Sequence, residues 1–131
     1  MKSVISQEDG RMLETMAFAW KAVKHAKSNA VVLAAADGKG AFFTVGIGSG
    51  QTWRVKATRD ALEVAGNRTG QSVVCASDAF FPFRDSVDEL AKKGVRYVVQ
   101  TGGSMRDDET VAAANEHGVN MWFTGYRVFK H

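Results

Sequence analysis

Nine consecutive residues, Ser77-Asp78-Ala79-Phe80-Phe81-Pro82-Phe83-Arg84-Asp85, hold three of the eight phenylalanines and the only proline of the chain. Aromatics so spaced suit neither a helical stripe nor an alternating strand, and they follow Ser72-Val73-Val74-Cys75-Ala76, a run that reads as a buried strand. A loop at a strand's carboxyl end is where open α/β sheets hold their ligands. The competing reading is an aromatic plug beneath a loop, and these nine residues leave both open. Arg54 and Lys56 fall in the first turn of a helix predicted over 51–65. A cation there opposes the helix dipole, which favours an anion-facing role for Arg54. Between a predicted strand and the helix after it, Gly102-Gly103-Ser104 offers free N–H groups to whatever lies above the sheet.

Much familiar chemistry is missing. The dinucleotide fingerprint fails, because Gly46, Gly48 and Gly50 are followed by Gln51 where a third glycine is needed; these glycines still permit a close approach of backbone to ligand. Neither a cysteine pair nor a zinc-deaminase signature is present, and there is no Walker loop, nucleophile elbow or H-E-x-x-H. Lys24-His25 invites a catalytic reading, but cations gathered near a helix carboxyl end have a sufficient structural reason in the exposed carbonyls. What remains is a set of ligand-shaped ends: Asn29, Arg54, the Phe80–Asp85 loop, Ser104 and the tail Arg127-Val128-Phe129-Lys130-His131.

The elements that must position these ends follow from hydrophobic period and turn chemistry. A helix is predicted over 6–27, with Ser6 and Asp9 in capping-box spacing. Ala30–Ala36 is a continuous apolar run of the kind a strand covered on both faces requires. Asp37-Gly38-Lys39-Gly40 is a turn, so residues 30–47 form a hairpin. Strands are predicted near 72–76, 95–100 and 119–124. Between them lie a helix opened by Ser86 and Glu89 in capping-box spacing and another carrying Asp107, Asp108 and Glu109 in its first turn. The alternation implies a parallel sheet with right-handed crossovers joined to the hairpin, a mixed three-layer α/β domain over 1–131.

At 131 residues, with 45% hydrophobic and 24% charged residues, the composition is that of one ordinary globular domain. A net charge of +3 without a basic stripe argues for a small anionic ligand rather than nucleic acid. The single Cys75 excludes an internal disulfide and reads as a buried, inert thiol. With neither a secretory signal nor an apolar run of membrane-spanning length, the expected location is cytoplasmic, away from membranes.

Nearly all of residues 17–131 resembles the carboxyl-terminal part of the bifunctional family that combines aminoimidazole-carboxamide ribotide (AICAR) formyltransferase with IMP cyclohydrolase. The resemblance is carried by Phe18-Ala19-Trp20-Lys21, Lys27-Ser28-Asn29-Ala30, Gly46-Ile47-Gly48-Ser49-Gly50-Gln51, Ser77 through Asp85, Gly102-Gly103-Ser104-Met105-Arg106-Asp107, Ala113-Ala114-Asn115-Glu116-His117-Gly118, Phe123-Thr124-Gly125 and Phe129-Lys130-His131. It implies a cytidine-deaminase-like fold lacking the zinc, here the second of two related layers, with AICAR and the co-substrate 10-formyltetrahydrofolate as ligands. By resemblance, Asn29 contacts the formyl group, while Arg54, Phe80, Arg127 and Phe129 serve the nucleotide. Val55, Phe83, Asp85 and Ser104 are similarly implied to serve the folate.

The family's Lys-His pair belongs to its first formyltransferase layer, and Lys24-His25 matches a different position. Trp53 and Thr101 also depart from the family pattern, standing where a small polar residue and a proline are usual. Three expectations follow. The chain is a formyltransferase subunit completed by a separate first-half chain, or a non-catalytic AICAR- or folate-binding module that homo-oligomerises, or, least favoured, a relic with structural duties.

Overall fold

The computed structural model describes residues 7–70 and 72–125, so the capping reading at Ser6 and those at Arg127, Phe129 and His131 lie outside the described residues. The chain runs α1 (Gln7–Val23), β1 (Val31–Ala36), β2 (Phe42–Gly48), α2 (Arg54–Ala65), β3 (Val74–Ser77), α3 (Asp85–Lys92), β4 (Tyr97–Gln100), α4 (Asp107–His117) and β5 (Asn120–Phe123). One five-stranded sheet has the order β2-β1-β3-β4-β5. β1 is antiparallel to both β2 and β3, whereas β3, β4 and β5 run parallel. The expected mixed sheet and three-layer α/β architecture are therefore present.

The period of two in β1 explains the layers. Val31, Leu33 and Ala35 point into a core shared with Ala57, Ala61 and Leu62 of α2, Val87 and Leu90 of α3, and Ala113 of α4. Val32 and Ala34 point the other way, onto Met16, Ala19 and Val23 of α1. Both faces of β1 are covered, and the hairpin turn forms as its residues dictate: the Asp37 carboxylate accepts N–H groups from Lys39 (2.7 Å) and Ala41 (3.1 Å). Toward β5 the α1 face opens into an apolar groove of about 300 Å³ walled by Leu13, Trp20, Val99 and Trp122. Among the described residues, no helix is long and apolar enough to cross a membrane.

Several boundaries and local readings are corrected. α1 ends at Val23 rather than 27, leaving Lys24, His25 and Lys27 in the connection after it. α2 begins at Arg54, not 51. The capping box at Ser86 is not formed, because α3 starts one residue earlier and the buried Ser86 hydroxyl instead meets Thr58 Oγ1 of α2 at 3.0 Å. Gly46 and Gly48 do not open the backbone to a ligand. A Cβ on either would lie 2.1 Å from the Ala61 carbonyl oxygen or 2.0 Å from that of Ala57, so these glycines let α2 pack directly on β2.

The two readings of the aromatic loop divide by residue. Phe81 is fully buried and plugs the core, whereas Phe83 is 46% exposed and Phe80 half-buried. The plug is held by Gln100, a fully buried amide whose Oε1 accepts the Phe81 N–H at 3.0 Å. Replacing Gln100 with leucine strands that N–H in an apolar interior and should cost about 1–3 kcal/mol. Urea denaturation should show a lower midpoint at unchanged slope; an unshifted midpoint would show that the amide does not anchor the loop.

Candidate functional site

Because β1 runs against β3, its start meets the ends of β2, β3, β4 and β5 at one edge of the sheet, and α2, α3 and α4 begin there too. The connections holding Asn29, Arg54, Phe80, Phe83, Asp85 and Ser104 are thereby gathered from distant parts of the sequence onto the same end.

At its centre is a buried ion pair. Arg54, the first residue of α2, turns its guanidinium inward, and Nη1 donates to the carboxylate of Asp78 and to the Ala30 carbonyl (3.1 Å). Their side chains are 6% and 1% exposed. The helix dipole is unfavourable for Arg54, but a fully desolvated carboxylate at hydrogen-bonding distance outweighs a partial charge. Asp78 also accepts the Ser28 hydroxyl (2.5 Å) and the Ala30 N–H (3.3 Å), tying the end of β3 to the start of β1. Arg54 Nη2 donates to Asn29 Oδ1 at 2.8 Å, and Asn29 Nδ2 donates to the Thr52 carbonyl at 2.8 Å. Arg54 Nε is buried without a hydrogen-bond partner among the described residues.

Around this centre lie the remaining predicted residues. Val55 is half-buried and follows Arg54 on α2. The Phe83 ring is covered on one side by the Arg106 guanidinium, 5.1 Å from its centroid, a cation–π contact joining the aromatic loop to the β4–α4 connection. Asp85 opens α3, and its carboxylate accepts the Ser86 N–H at 2.8 Å. Ser104 Oγ accepts the Arg106 N–H at 3.0 Å. The Gly-Gly-Ser junction does not present the free donors expected of it, since the Asp107 carboxylate accepts the N–H groups of both Gly103 (2.8 Å) and Ser104 (3.1 Å).

Asp78 and Ser28 are the partners that sequence reading missed. Asp78 stood in view as a flanking acid; the signal that could have found it is an acid directly after a buried strand, opposite a cation that its own helix disfavours.

Beside this end, Arg84 makes a bidentate pair with Asp88 (3.0 Å to each oxygen) and reaches Glu116 at 2.6 Å, while His117 Nε2 lies 2.8 Å from Asp88. The hydrogen bonds from Arg84 hold the Asp88 carboxyl below its ordinary range. Asp88, Glu116 and His117 have metal-ligand chemistry, but their carboxylates are taken up by Arg84 in clamping α3 to α4. Cys75 is fully buried, and burial pushes its thiol up, so it stays protonated and inert.

A three-layer α/β domain with its polar and aromatic loops at one sheet end is the class this geometry defines. Residues 1–64 match the family model described as the AICARFT/IMPCHase bienzyme. The chain is 53% identical over 121 residues (91% of its length) to the bifunctional purine biosynthesis protein PurH of Persephonella marina, and covers 22% of that protein. It is 51% identical over 131 residues (99% of its length) to the PurH protein of Clostridium perfringens strain SM101, covering 24%. For the PurH protein of Brachyspira hyodysenteriae the identity is 53% over 119 residues, with 91% of this chain and 22% of that protein covered. The chain thus spans roughly a quarter of the length of these purine biosynthesis relatives.

Proposed function

We propose that this chain belongs to the AICAR formyltransferase/IMP cyclohydrolase family and forms part of a site that moves a formyl group from 10-formyltetrahydrofolate to AICAR in purine biosynthesis. One observation carries the reading: Asn29, Arg54, Phe80, Phe83, Asp85 and Ser104, scattered in sequence, meet at one sheet end in a chain about half identical to PurH proteins. In this reading Phe80 offers its ring to the nucleotide base, and Arg127, in the tail that also carries Phe129, receives the phosphate bidentately. Val55, Phe83 and Ser104 flank the folate, and the Asp85 carboxylate accepts N–H donors from the pterin edge.

The attacking amine of AICAR must lose a proton and the departing folate nitrogen must gain one. Asn29 can polarise a formyl oxygen but has no proton that titrates near neutrality. Positioned acid–base groups contribute about 10²–10⁴-fold. The family's Lys-His pair therefore comes from outside these residues, in the same polypeptide or in a separate first-half chain, and the working assembly is an oligomer or such a complex. A second reading, a non-catalytic AICAR- or folate-binding module, is favoured by Lys24-His25, which resembles a position other than that of the family's pair and lies in the connection after α1.

Calorimetry with AICAR and with a reduced folate, beside a formyl-transfer assay, tests the proposal. The isolated chain should bind AICAR yet turn over poorly, and transfer should appear when a first-half chain is added. Arg127→Ala should weaken AICAR binding far more than folate binding, and Asp85→Ala the reverse. If neither ligand binds, or both substitutions affect both ligands equally, the assignment fails; binding without transfer in the presence of the first half would select the second reading.

A further inference from the structure

Resting on that reading, we infer that Arg54 and Asp78 are positioning residues: they fix the Asn29 side-chain amide as a hydrogen-bond donor toward the bound ligand, and Arg54 is not itself the phosphate contact. The Asn29 amide is held on both of its polar atoms. Its Oδ1 meets a guanidinium N–H at 2.8 Å and its Nδ2 meets a carbonyl oxygen at 2.8 Å. Rotating the amide by half a turn would set N–H against N–H and oxygen against oxygen, so both neighbours choose the same orientation. One N–H of Nδ2 is committed to Thr52, and the other has no acceptor among the described residues. The group left for a ligand is therefore a donor, suited to a carbonyl-type oxygen on which negative charge develops.

The guanidinium that imposes this orientation is itself held. Asp78 and the Ala30 carbonyl share Nη1, and Asn29 takes Nη2. Since the Arg54 side chain is 6% exposed, reaching a phosphate would require it to leave a buried carboxylate unpaired. Arg54 thus acts through Asn29, and Asp78 acts through Arg54. The N–H groups of Asn29 and Gln51 reinforce the arrangement, because the two residues exchange backbone bonds at 3.1 Å and 3.4 Å and bring Thr52 opposite the amide.

The test uses the full chain carrying Arg54→Lys or Asp78→Asn, variants that keep size and polarity, each shown to be folded by circular dichroism. Its first arm needs no ligand and follows the Asn29 side-chain N–H signals by ¹⁵N NMR. In the parent protein the two protons should be well separated and exchange slowly; in either variant they should move toward free-amide positions and exchange at least tenfold faster. Unchanged signals in Arg54→Lys would overturn the positioning role. The second arm measures AICAR binding by calorimetry. A loss of affinity in Arg54→Lys should accompany the change in the Asn29 signals, whereas a tenfold loss with the Asn29 signals unchanged would make Arg54 the phosphate contact. Should the parent protein fail to bind AICAR while the NMR result holds, the ligand assignment falls and the positioning of Asn29 stands.

Discussion

Asp78→Ala should be among the most damaging single substitutions in this protein, lowering stability by about 3–5 kcal/mol. The side chain is 1% exposed and serves the Arg54 guanidinium, the Ser28 hydroxyl and the Ala30 N–H together. Its removal leaves a buried cation without its counter-charge, and that desolvation cost, more than the loss of an attraction, sets the magnitude. Against a usual total of about 5–15 kcal/mol, this is a large share. Urea or guanidinium denaturation of the two proteins measures it directly. A loss below about 1 kcal/mol would mean that Arg54 finds water when Asp78 is gone, and that the centre of the site is wetter than its burial indicates. Asp78→Asn, which keeps two of the three acceptor contacts, should fall between alanine and the parent.

Gly48→Ala should cost about 3 kcal/mol, at the upper end of what overpacking produces. The added carbon would stand 2.0 Å from the Ala57 carbonyl oxygen, and the obstacle is backbone, which cannot rotate away as a long side chain could. Either α2 lifts from β2 or β2 moves outward at the sheet edge. The first carries Arg54, at the start of α2, away from Asp78, and Asn29 should then lose its fixed amide along with stability. The denaturation midpoint measures the first effect and the Asn29 side-chain N–H signals the second. A stability change under 1 kcal/mol would show that the helix and strand are less tightly apposed than the geometry requires.

Much of the fold was legible because it is locally written. Asp37-Gly38-Lys39-Gly40 set the hairpin, and the apolar runs at 31–36, 74–77 and 97–100 became strands within two residues of their predicted limits. The end of the sheet that gathers the loops was legible too, since it follows from strand direction. What could not be read locally were the long-range partners. Nothing near Arg54 in sequence announces Asp78, 24 residues away, and without that carboxylate the cation at a helix start looks available for a ligand. Gly46 and Gly48 misled for the same reason, as a glycine that admits a ligand and one that admits a helix have the same sequence signature. Asp107 was read only through the helix dipole; its bonds to Gly103 and Ser104 depend on a turn whose shape no period encodes.

The pairing of β1 with β3 joins two stretches that could each begin to fold alone: the hairpin with α2, and the β3–α3–β4–α4–β5 succession. Val31 lies opposite Ser77 across that seam, so closing it incurs the entropy of a long loop before any contact compensates. Asn29 and Arg54 come from one side of the seam, and Asp78, Phe80, Phe83, Asp85 and Ser104 from the other. The site is thus completed only by the slow, non-local step, and a half-folded chain arrested before it holds neither a paired Arg54 nor an oriented Asn29. Ligand competence and native topology arrive together, which makes binding a stricter report of complete folding than helix content, since the helices on either side can form while the seam is still open.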